Sequence, residues 1–184
     1  METFSSCSKV FLFVAVLLAL RFDIPEGGYV PSKLVTEMCK ETAEYGLAYD
    51  ACVDALAMEP TSSSADMKQL AWITLRLGIR HSTEIQKFLK DKLQNVLEPA
   101  TENAVKQCSD WYDGAVSSFK SASAELEMDA MTANYDARIA GDDVDNCQSS
   151  LAEGKVVIPE VSYANSLIKK FSIIATVVTN YLRV

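Results

Sequence analysis

Apolar residues recur at three- and four-residue steps over four long stretches, the period of helices lying on a core. The last is the clearest: Ala164, Leu167, Ile168, Phe171, Ile174, Ala175, Val178, Tyr181 and Leu182 form one stripe. Ser162 is placed to cap this helix, and Pro159 lies just before it. Ahead of it, Met128, Met131, Tyr135 and Ile139, followed by Val144, Cys147 and Leu151, predict another helix. "AGDD" at 140–143 reads there as a kink or short loop. Val105, Cys108, Tyr112, Ala115, Val116 and Phe119 form the inward face of a helix that starts at Pro99. A turn is expected at 121–125. Leu70, Ile73, Leu77, Ile85, Phe88 and Leu89 mark a further helix, widened by Trp72, Leu75 and Ile79 and running to Asn95. Pro60 ends the element before it, and Ser62 to Ser64 offer caps.

Two shorter pieces precede these. One covers Ser32 to Glu44, with Leu34, Val35 and Met38 on a stripe; the other covers Ala48 to Met58, with Cys52, Val53 and Leu56. Tyr45-Gly46 separates them and lets them fold back on each other. The pattern predicts an all-α chain: a four-helix up-and-down bundle with an N-terminal, disulfide-stapled helical hairpin. Only 7 Gly and 5 Pro are present, too few for the many turns of a sandwich or barrel.

The start of the chain changes the compartment. Eleven unbroken apolar residues run from Val10 to Leu20, preceded by Lys9. That is short of the roughly 20 needed to span a bilayer and matches the core of a secretory leader. Residues 1–24 are therefore expected to be a signal peptide, cleaved somewhere in 20–28, with an uncleaved anchor as the alternative. The domain proper is 29–184, with no membrane association once the leader is gone.

Secretion bears on the thiols. Of five cysteines, Cys7 falls in the leader and Cys39, Cys52, Cys108 and Cys147 remain. An even number in a secreted chain favours disulfides, of which three connectivities are possible. Hairpin geometry pairs Cys39 with Cys52 across the first turn and Cys108 with Cys147 about a midpoint near Glu127 and Met128. The other connectivities would tie the small hairpin into the long helices. On the chain-entropy model the short loop is worth about 3 kcal/mol and the longer about 4. There is no C-x-x-C, and His81 is the only histidine, so neither a zinc site nor a redox motif is present.

Chemistry is otherwise sparse. His81 has no evident nucleophile and reads as a surface or groove residue. "DDVD" at 142–145 lacks the order of a calcium loop, so no metal and no cofactor are expected. A net charge of −8 argues against nucleic acid, which needs a basic footprint. What is left is a secreted acidic bundle that is not an enzyme and works by presenting a surface.

Several segments carry a resemblance. They are "CKETAEYGLAYDACVDAL", "PTSSSADMKQLAWI", "AVKQCSDWYDGAV", "MDAMTANYDARIAGDDVDNCQSSL" and "VSYANSLIKKFSIIATVV". With four cysteines at compatible spacings, they resemble the plant invertase inhibitor and pectin methylesterase inhibitor family over about 33–183. The resemblance implies a bundle with bonds Cys39–Cys52 and Cys108–Cys147. It implies a protein partner, pectin methylesterase or invertase, whose active-site cleft is occluded, in the cell wall or apoplast or in the vacuole. Some members carry Pro-Lys-Phe before the last helix; here the stretch is Ile158-Pro159-Glu160-Val161. Esterase inhibitors can carry acidic residues after the third cysteine and Thr before the fourth; here Gly114, Ser117 and Asn146 stand in those regions. Gly114, Ser117, Asn146, Pro159, Glu160 and Val161 are thus the candidate partner-binding residues. Two other readings are a secreted binding or storage protein that has lost inhibition, and a small-molecule carrier using a groove near Met131, Tyr135 and Phe171.

Overall fold

The computed structural model describes residues 28–94 and 98–182; the expected leader at 1–24 lies outside them. Among the described residues six α-helices follow in order: α1 Lys33–Glu41, α2 Tyr49–Ala57, α3 Met67–Leu93, α4 Pro99–Glu125, α5 Ala130–Glu153 and α6 Pro159–Asn180. The last four form the bundle, each packed on its chain neighbours, with α6 closing back onto α3. That is up-and-down topology, and the α1–α2 hairpin rests against α6.

Each boundary has a local cause. Ser32 caps α1 by accepting from the Val35 N–H. The hairpin elbow is a 3₁₀ turn, Thr42–Tyr45, closed by Gly46 at φ 79°, where a side chain would be strained. Buried Thr42 ties the elbow together, its hydroxyl lying 2.8 Å from the Cys39 carbonyl and 3.0 Å from that of Leu47. The Cys39–Cys52 disulfide joins α1 to α2, and Cys108–Cys147 joins α4 to α5.

Four expectations are corrected. The long helix α3 is capped by Asp66, not by Ser62 to Ser64; Asp66 and Gln69 form a reciprocal capping box. The three serines lie in a 3₁₀ turn, where Ser62 donates to the Leu56 carbonyl. The turn expected at 121–125 comes later, because α4 runs on to Glu125 and Asp129 accepts from the Met131 and Thr132 N–H groups to start α5. "AGDD" breaks nothing: Gly141 sits inside α5 because a Cβ there would collide with Ser172 of α6. Helix α6 begins at Pro159, with proline at its first position, so Ser162 is already inside it.

The core is built from the expected faces of α3, α4 and α6, with Leu70, Leu75, Tyr112, Phe119, Phe171 and Ile174 fully buried. Helix α5 differs. Met128, Met131 and Tyr135 point outward, the last two 64% and 62% exposed. Its inward face is made of small residues, Ala133, Ala137, Ala140 and Gly141, followed by Val144, Cys147 and Leu151. Phe171 is fully buried while Met131 and Tyr135 face outward, so the three do not line a common groove. Close packing recurs at Gly78, where a Cβ would lie 2.6 Å from the Phe119 ring.

Several polar groups inside the bundle are paired across helices. The Tyr112 hydroxyl is 2.7 Å from Asn165 Oδ1, and Asn165 Nδ2 is 3.1 Å from Gln148 Oε1. Asn134 Nδ2 reaches the Thr176 carbonyl at 2.6 Å and the Thr179 hydroxyl at 2.9 Å. Lys169 bridges α6 to Asp142 and Asp145 of α5.

At the end of α5, Lys155 takes the left-handed conformation at φ 53°, while Val156 N–H bonds back to the Leu151 carbonyl. Glycine is the usual residue there, but the glycine stands one place earlier. A Cβ on Gly154 would lie 2.7 Å from that of Ala104. Replacing Lys155→Gly is expected to stabilise by about 1 kcal/mol, roughly 2–4 °C in Tm, and Gly154→Ala to destabilise. Thermal unfolding of the two variants checks both signs.

Candidate functional site

The spacing of α4 places Trp111 one ridge away from Cys108, on the side facing α5. Trp111 is 40% exposed. With Gln107 and Asp110 of α4 and Asn146, Ser149 and Glu153 of α5, it lines an open groove of about 470 Å³. The Cys108–Cys147 bond lies buried beneath the same helix pair. Asn146 precedes the bonded cysteine and faces solvent.

Gly114 lies one turn along α4 from Trp111, against α5. A Cβ there would lie 2.9 Å from Asp143 Oδ2. Ser117 is exposed, but its hydroxyl is held by the Asp113 carbonyl at 2.8 Å. Gly114, Ser117 and Asn146 therefore belong to one pair of helices. Pro159 and Glu160 stand exposed in the first turn of α6, beside a hollow of about 680 Å³ that Lys155 also lines. Val161 is 0% exposed and belongs to the core, because it lies on the inward stripe of α6.

Two features of this region escaped the sequence reading. Trp111 was passed over in favour of buried Tyr112, although a tryptophan on the polar face of an amphipathic helix marks a surface. Asp143 was read only as part of the "DDVD" stretch that makes no calcium loop. It is buried, and its Oδ2 has no hydrogen-bond partner. His81 is half-buried, stacked on Phe171 with ring centroids 5.6 Å apart, and its Nδ1 lies 3.2 Å from Glu84. Burial lowers its pKa, against the raising effect of Glu84. Among the described residues no cluster of three His, Cys, Asp or Glu is placed to hold a metal ion. No described helix is long and apolar enough to cross a membrane.

Burial first, and then the charge of Asp142, pushes the Asp143 carboxyl up to about 6 from an ordinary 3.8. Between those values the native state keeps a proton that the unfolded chain has released. The contribution of Asp143 to stability is therefore fully present below about pH 4 and is lost as pH rises from there through about 6. Asp143→Asn is expected to flatten that decline and to gain about 1 kcal/mol at pH 7, discounted for the part of the carboxyl that solvent reaches. Thermal melts of both proteins at about pH 4 and pH 7 measure it.

Residues 33–182 match the family model described as plant invertase/pectin methylesterase inhibitor. A "putative invertase inhibitor" of Platanus acerifolia is 28% identical over 98% of this chain and 97% of its own length. A pectinesterase inhibitor of Actinidia deliciosa is also 28% identical, over 97% of each. The crystal structure of a mutant form of an Arabidopsis pectin methylesterase inhibitor superposes with a TM-score of 0.70 at 25% identity. That match covers 79% of this chain and 96% of the other. These relatives inhibit enzymes and are not enzymes themselves. The family model spans both bonded cysteine pairs and the four bundle helices, and the chain belongs to the plant invertase/pectin methylesterase inhibitor family.

Proposed function

We propose that the mature chain inhibits a plant cell-wall enzyme acting on carbohydrate by laying the α4–α5 face over its active-site cleft. The observation that carries this reading is Trp111, an exposed aromatic beside the Asn146 groove on a disulfide-tied helix pair. Exposed tryptophan on a rigid support is the usual anchor of a protein interface, since ordering it costs little entropy. Gly114, Ser117 and Asn146 supply low relief around it. Met131 and Tyr135, exposed further along α5, extend the apolar area.

Between the two target classes, pectin methylesterase is the better fit. Glu160 is exposed where some invertase inhibitors offer a lysine, and its carboxylate would meet an acidic sugar-cleaving site with the wrong sign. Removal of residues 1–24 during secretion delivers the domain to the cell wall. A storage role gives Trp111 no use.

Purified mature protein is expected to suppress pectin methylesterase at or below micromolar concentration, and Trp111→Ala to weaken inhibition at least tenfold, with Tm unchanged. Inhibition of neither enzyme class between about pH 4 and pH 7 would overturn the proposal. Inhibition of invertase alone would reassign the target.

A further inference from the structure

A second groove, of about 410 Å³, lies between α3 and the 3₁₀ turn Pro60–Ser64 that leads into it. Arg76 and Arg80 stand on its rim, four residues apart and so on one face of the helix, with Cβ atoms roughly 6 Å apart. Ile73 and Leu77 form part of its apolar lining, and Glu59 and Thr61 come from the turn side. Both arginines are exposed.

The charges here are unusual for this molecule. The chain carries a net −8, so carboxylates are abundant. Yet among the described residues neither guanidinium is paired with one; the ion pairs are made by lysines and His81. Arg80 Nη2 only approaches His81 Nε2, at 3.4 Å. Glu59 lies in the same groove, but its Oε1 accepts from the Thr61 hydroxyl at 2.9 Å and bridges neither arginine. Two planar forks with free donors, beside apolar side chains, suit carboxylates borne on a sugar.

We infer that this groove binds a short stretch of linear uronic-acid oligosaccharide. Each guanidinium takes one carboxylate, and Ile73 and Ile79 meet the C–H face of a ring. The choice of uronate rests on the pectin methylesterase reading above, because hydrolysis of a uronate methyl ester leaves a carboxylate on the polymer. An inhibitor holding the product through α3 would stay where its target works while leaving α4 and α5 available. The rest of the acidic surface repels a polyanion, so the contact is local and weakens with added salt.

Titration calorimetry of the mature protein with trigalacturonate tests this. Binding is expected, weakened at least tenfold by full methyl esterification of the trimer and at least tenfold by Arg76→Gln with Arg80→Gln. Glu59→Gln is expected to tighten it severalfold by removing the like charge. If the double variant unfolds, Arg76→Lys keeps the charge without the fork and is expected to weaken binding about threefold. Absence of binding, equal binding of the methyl ester, or equal binding by the arginine variants overturns the inference. Inhibition assayed alongside separates the two readings. Lost uronate binding with intact inhibition refutes this site alone, and intact binding without inhibition refutes the enzyme target.

Discussion

The close seam between α4 and α5 is the constraint on which the rest of the bundle depends. A disulfide at Cys108–Cys147 holds it covalently, and Gly114 lets the helices approach until Asp143 fills the space where a Cβ would be. At the far end Gly154 admits Ala104 in the same way. Small residues bring backbones near and leave little apolar volume between them. The crosslink supplies what such a seam lacks in burial, by restricting the unfolded chain. It also holds Trp111 and Asn146 at a fixed separation on the outer face, so that neither has to be ordered when a partner arrives.

Across the other seam, between α5 and α6, order comes from directional groups. Asn134 bonds near the end of α6, and Asn165 bonds Gln148 while receiving the Tyr112 hydroxyl from α4. Each bond has its partner only when the helices are in one vertical alignment. Apolar ridges alone would permit sliding by a turn at modest cost, whereas a buried amide without its partner costs about 1–3 kcal/mol. Burial pushes the Tyr112 hydroxyl far above its ordinary range, so it stays protonated and remains a donor.

Much of this was legible in the sequence. The stripes of α3, α4 and α6 are made of Leu, Ile, Val and aromatic residues, and their period alone placed most of them inward, whereas Tyr181 lies past the end of α6 and is exposed. Val144, Cys147 and Leu151 of helix α5 are buried as expected, but its first half was turned the wrong way because its large apolar residues, Met131 and Tyr135, lie outside, while alanines and a glycine line the core. Hydrophobicity ranks Met above Ala, but packing between close helices selects the smaller side chain. The turn at 121–125 was misplaced because serines look like punctuation, yet Ala122 is buried in an unbroken helix and the stronger signal was the cap at Asp129. The outer face was half visible. Gly114, Ser117 and Asn146 were singled out where the chain departs from a family pattern, whereas Trp111 needed the helix orientation before its exposure had meaning. Val161 shows the reverse: a likeness in position that the core had already claimed.

Gly78 and Phe119 share one volume. The ring edge occupies the space that any larger residue at 78 would need, so neither position can vary alone. Enlarging residue 78 in this chain would force the Phe119 ring to move or α3 and α4 to part. The pair therefore acts as a spacer that sets how closely these two helices approach.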